Sequence, residues 1–117
     1  MDETPKSRRQ MLEEFLGANP DDAFPLYGLA IECTNTGDTA AAEDYFRKLV
    51  SAHPEYVPSY YHYGQLLLRV GRSADAQAAF RQGISEARKA GNAHALSELE
   101  AALEDALAGG GGAQSPN

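Results

Sequence analysis

Cysteine is nearly missing from this chain of 117 residues: Cys33 stands alone. A single thiol forms neither an internal disulfide nor a cysteine-rich metal site, so a reducing, cytoplasmic setting is expected. Long apolar runs are missing as well. The longest are scraps such as Leu66-Leu67-Leu68, against the roughly 20 residues a spanning helix needs, so no membrane segment is expected. The opening residues Met1-Asp2-Glu3-Thr4-Pro5-Lys6 are polar and lack the apolar stretch of a secretory signal. Basic charge is scarce: 10 Lys and Arg face 17 Asp and Glu, a formal net charge of −7. That balance opposes nucleic-acid binding, whose affinity comes mainly from neutralising phosphates with Lys and Arg. Also missing is any stretch in which apolar and polar residues alternate among β-branched side chains, which removes the signal for strands.

What is present is the composition of one small soluble domain, with 43% hydrophobic and 23% charged residues. The charge is uneven: residues 1–22 and 23–56 each carry −3, residues 57–90 carry +3, and residues 91–117 carry −4. The basic groups of the third segment are spread over the whole of it, as on ordinary solvated helix faces.

Helix punctuation is dense. Thr4-Pro5 offers a start and Gly17 a stop; Asp21, Asp22 and Pro25 mark the next start; Gly37, Pro54, Gly71 and Gly91 close later segments. Between these marks lie stretches rich in Ala, Leu, Glu and Arg, all good helix formers. The reading is all-α, with six helices near 5–17, 22–35, 39–52, 57–70, 73–90 and 92–108. The Gly109–Gly112 run and the residues after it read as a flexible tail, 109–117. It is not a phosphate-binding loop, because no helix start with Lys and Ser or Thr follows the glycines.

Internal repetition is the strongest signal. Gly37, Ala42 and Phe46 return as Gly71, Ala76 and Phe80, each 34 residues later, and Pro20 returns as Pro54. The stretches beginning at Gly37 and Gly71 align without a gap. A helix–turn–helix period of this length resembles the tetratricopeptide repeat family. The family pattern falls on Leu26, Leu29-Ala30 and Cys33, then Ala42, Phe46 and Pro54, in the first unit. In the second it falls on Tyr60, Tyr63-Gly64 and Leu67, then Ala76 and Phe80, with Arg88 where a closing proline would stand. Leu12, Phe15 and Pro20 fit the second helix of a truncated preceding unit. The resemblance implies a right-handed superhelix of helix hairpins. It divides the chain into a capping half-repeat (1–22), two full units (23–56 and 57–90) and a terminal capping helix (91–108). In that last helix Leu96, Leu99, Leu103 and Leu107 form an apolar stripe, with Glu98, Glu100, Glu104 and Asp105 away from it.

No constellation carries catalysis. Cys33 falls at a packing position of the repeat, where a thiol is inert. His53, His62 and His94 include no pair at i, i+4, so no metal site is expected. The pairs Glu13-Glu14, Asp21-Asp22, Glu43-Asp44 and Glu104-Asp105 point about 100° apart on a helix, which does not aim two carboxylates into one cleft. The reading is a non-catalytic chain with no cofactor.

The resemblance directs attention to a surface instead. First helices of such units line a concave groove that takes a peptide or helix of a partner protein. Carried onto this sequence, the groove holds Phe24, Tyr27, Ile31 and Asn35, then Tyr61, His62, Gln65 and Arg69, with Gly28, Thr34, Pro58 and Leu68 beside them and Ala95 and Leu99 from the last helix. Some family members grip a partner's terminal carboxylate with Lys, Asn and Arg; those places hold Tyr27, Ile31 and His62 here, so that clamp is absent. An apolar or aromatic segment fits this face better, with Gln65 and Arg69 as polar anchors. The alternative is a structural one: a second copy of the chain occupies the groove or a cap, giving a homo-oligomer with no separate ligand.

Overall fold

Glycine sets three of the helix ends, and it does so by one repeated device. Gly37, Gly71 and Gly91 adopt φ of 85°, 83° and 67°, a left-handed conformation that costs other residues a Cβ clash. The residue after each glycine then donates its N–H back into the last turn: Asp38 to the Cys33 carbonyl, Arg72 to that of Leu67, and Asn92 to that of Ala87, at 2.8–2.9 Å. Gly17 is not of this kind, and the first helix runs through it.

The computed structural model describes residues 5–109. Among them lie six α-helices: α1 (Arg8–Ala18), α2 (Ala23–Asn35), α3 (Thr39–Ala52), α4 (Pro58–Arg69), α5 (Ser73–Ala90) and α6 (Ala93–Leu107). The fold is an all-α helical repeat. The expected helix start at Thr4-Pro5 is displaced: Thr4 lies outside the described residues, and the cap is Ser7. Its side chain accepts from the Gln10 N–H while the Gln10 side chain accepts from the Ser7 N–H. This reciprocal pairing satisfies two donors that a helix start otherwise leaves open. Elsewhere Asp22 caps α2, Asn92 caps α6, and Pro58 opens α4. The expected tail lies outside the described residues from position 110 onward.

The chain divides into two compact units, Met1–Ala52 and His53–Asn117. In the first, α2 packs on both α1 and α3. Its core is Leu12 from α1, Leu26, Leu29, Ala30 and Cys33 from α2, and Ala42, Phe46 and Leu49 from α3. Gly28 lets α1 approach α2 closely, since a Cβ there would stand 3.0 Å from Leu12 Cδ2. Asp38 opens α3: its carboxylate accepts from the Ala41 N–H and from Arg9, and both hold it below the usual carboxylate range. Cys33 is buried, and desolvation raises its thiol pKa.

In the second unit, α5 packs on α4, and α6 packs on both. Tyr60, Gly64 and Leu67 of α4 face a core shared with Ala76, Phe80, Gly83 and Ala87 of α5. Gly64 is required by Phe80, whose ring a Cβ would overlap; Gly83 is required by Tyr60, whose Cβ would lie 2.5 Å from a new one. The Tyr60 hydroxyl donates to the Pro54 carbonyl at 2.6 Å and accepts from Gln82. Burial, followed by Glu86 and Glu55, pushes its pKa up to about 12.

The α6 face departs from the expected leucine stripe. Leu99, Ala102 and Ala106 are buried, Leu96 and Leu103 are half-buried, and Leu107 is 56% exposed. The inner face follows 99, 102, 103 and 106, the i, i+3, i+4, i+7 spacing. Leu107 falls one step round from it, in the last turn.

Candidate functional site

The expected groove residues fall on the first helices of the two hairpins, in one register. Tyr27, Ile31 and Asn35 lie at i, i+4 and i+8 on α2; Tyr61, Gln65 and Arg69 hold the same places on α4, 34 residues later. This spacing puts each set along one helix face.

In the first unit Tyr27 and Ile31 are half-buried, and Asn35 is exposed where α2 ends. Phe24 is 62% exposed and meets Phe15 of α1 edge to face, with ring centroids 6.2 Å apart. It therefore stands against α1. Gly28, expected beside the groove, is buried under Leu12. Thr34 turns its hydroxyl back to the Ala30 carbonyl at 2.7 Å, the usual way for a threonine within a helix to satisfy its donor.

In the second unit Tyr61 and Gln65 line a cavity of about 410 Å³ together with Glu98, Ala101, Ala102 and Asp105 of α6. His62 meets the Tyr61 ring edge-on at 5.5 Å. Burial lowers the His62 pKa, and Glu98 works against that shift. Arg69 is exposed near the end of α4 and does not line the cavity. Leu68 and Leu99, both expected at the groove, are core residues; Leu99 fills the space that Gly83 leaves. The residues missed by sequence reasoning are Glu98 and Asp105. They read as the solvent side of the leucine stripe, and only the packing of α6 against α4 turns them toward Tyr61.

Chemically, this second face offers an aromatic ring, an amide and two carboxylates. Among the described residues no group of three or more His, Cys, Asp or Glu side chains could hold a metal ion. No described helix is long and apolar enough to cross a membrane.

The hairpin order, the shared 34-residue register and the glycine-closed helix ends define a helical-repeat protein. A family profile for the tetratricopeptide repeat matches residues 35–103, and the chain belongs to that family. Such proteins are generally non-catalytic and typically bind protein partners. The chain is similar to a tetratricopeptide repeat domain protein from Salinibacter ruber, known as a crystal structure. The two are 40% identical over 74% of this chain and 97% of that one, with a TM-score of 0.70. A solution structure of a tetratricopeptide repeat domain protein from Salinibacter ruber gives 39% identity over 77% and 91% of the two chains, with a TM-score of 0.73. A Bordetella parapertussis protein shares the fold at 21% identity, over 89% and 90%, with a TM-score of 0.75. No curated protein matches the chain.

Proposed function

We propose that this chain is a non-catalytic module that binds a segment of a partner protein through the first-helix faces of its hairpins. The observation that carries this reading is the repeated face itself. Tyr27 and Tyr61 are half-buried at equivalent places on α2 and α4. Large aromatics that are neither core nor fully solvated are favoured anchors in protein interfaces.

The second unit narrows the partner's chemistry. Tyr61 and Gln65 face the carboxylates of Glu98 and Asp105 across the α4–α6 cavity. A segment with an apolar or aromatic side chain next to a Lys or Arg matches that lining: the ring takes the apolar group and the carboxylates take the cation. A reducing, cytoplasmic setting belongs to this proposal, in keeping with a single thiol held in the core.

The test is a pull-down from the source cell, with wild-type bait beside a Tyr27→Ala/Tyr61→Ala bait shown by circular dichroism to be folded. The expected result is a protein retained by the wild type and lost by the double variant. Equal retention by both baits sinks the reading.

A further inference from the structure

Of the five large apolar side chains exposed among the described residues, Met11, Phe15 and Phe24 belong to α1 and α2, and Leu107 ends α6. The repeat register explains this distribution. In that register α1 is a second helix of a hairpin and α6 is a first helix. One repeat on, Met11 and Phe15 fall on Tyr45 and Leu49; two repeats on, they fall on Ala79 and Gly83. Leu49, Ala79 and Gly83 are buried and Tyr45 half-buried, with Gly83 pressed against Tyr60 of its own hairpin's first helix. Met11 and Phe15 hold the same places on α1 yet are 45% and 58% exposed. No helix precedes α1 among the described residues.

At the other end of the element order, α5 and α6 wall a groove of about 810 Å³. The α6 side of that groove includes Ser97, Glu100, Ala101 and Glu104. Their i, i+3, i+4, i+7 spacing is that of Leu26, Leu29, Ala30 and Cys33, and of Tyr60, Tyr63, Gly64 and Leu67. The small residue stands third each time. Set three residues later than the 34-residue offset would carry it, this stripe has the spacing with which a first helix receives its second helix, as Gly64 receives Phe80.

We propose that α1 of a second copy occupies this groove and completes a hairpin with α6, so that copies associate head to tail. Size and charge both fit. In the second unit the hairpin sets Tyr60 against Gly83 and Gly64 against Phe80, and its antiparallel run continues to Leu67 and Ala76. Between copies the corresponding pairs are Ser97 with Phe15, a large and a small residue exchanged, and Glu104 with Arg8, an ion pair that takes the place of the 3.6 Å contact of Arg8 with Glu32. Arg9 of α1 reaches Asp38 at the start of α3, and Glu14 lies well round the helix from it. Glu14, which pairs with Lys6 at 2.6 Å within its own chain, then faces the α5 wall and exchanges that exposed pair for Arg81 of the groove. A heterologous contact of this kind leaves one α1 and one groove open in every dimer, so copies add with concentration until a ring closes or a filament extends. It uses the end faces, so it stands apart from partner binding at Tyr27 and Tyr61.

Sedimentation velocity on the full chain tests it, from about 10 µM to about 1 mM, the affinity range of a small interface. The wild type is expected to grow past dimer as concentration rises. Phe15→Glu and Ser97→Arg should each weaken association by about tenfold or more, the loss of roughly one good contact. An equimolar mixture of the two should form dimers and stop there, because one competent α1 and one competent groove remain. If circular dichroism shows either variant unfolded, Arg8→Glu paired in trans with Glu104→Arg decides, with association restored only in the mixture. A wild type that stays monomeric, or a dimer indifferent to Ser97→Arg, overturns the proposal.

Discussion

The two hairpins α2–α3 and α4–α5 solve one packing problem with different side chains. In the first, Leu26 and Leu49 hold places that Tyr60 and Gly83 hold in the second. All four are buried. A pair of middle-sized residues has become a large one and a glycine. Ala30 likewise stands where the second hairpin needs Gly64 to admit Phe80. The repeat thus prescribes which positions face each other, while the partner across the hairpin decides how large each side chain can be. The exchange also brings a hydroxyl into the second core, and the Pro54 carbonyl and Gln82 satisfy it, as a buried donor requires.

The comparison breaks most visibly at the two phenylalanines. Phe46→Ala and Phe80→Ala each remove a fully buried ring and should cost about 3–5 kcal/mol, a large part of a total of roughly 5–15 kcal/mol. Urea unfolding followed by circular dichroism will measure both. The next effect separates the hairpins. Gly64→Ala should cost about 1–3 kcal/mol through overpacking against Phe80, and Phe80→Leu in the same chain should recover part of that loss. The reverse exchange in the first hairpin, Ala30→Gly, should cost only about 0.5–1 kcal/mol in helix propensity. Equal costs for Gly64→Ala and Ala30→Gly would erase the distinction.

Much of the fold was legible because its marks are local. Gly37, Gly71 and Gly91 mark helix ends, although Gly17 carries the same mark and α1 runs through it, and the 34-residue offset places the hairpin cores without any knowledge of the turns between. What was missed depended on contacts. Ser7 rather than Thr4 caps α1, since its partner Gln10 stands at the right distance for a reciprocal bond. Leu107 fits a leucine stripe by spacing, but α6 turns its 99–102–103–106 side inward and leaves Leu107 largely outside. The site divides the same way. Tyr27 and Tyr61 follow from register alone, while Leu68 and Leu99 were drawn from the core by the same arithmetic. Glu98 and Asp105 join the face only because α6 packs on α4 as well as α5. No periodicity in α6 could announce that second contact.

The central claim is that the first-helix faces, and not the end faces, receive the partner. Amide chemical-shift mapping of the ¹⁵N-labelled chain, titrated with the binding segment of a captured partner, tests it most directly. The account predicts shifts centred on Tyr27 and Ile31 of α2 and on Tyr61, Gln65 and Glu98 of α4 and α6. Shifts confined to Met11 and Phe15 of α1, or to the α5–α6 groove around Arg81 and Ser97, would contradict it.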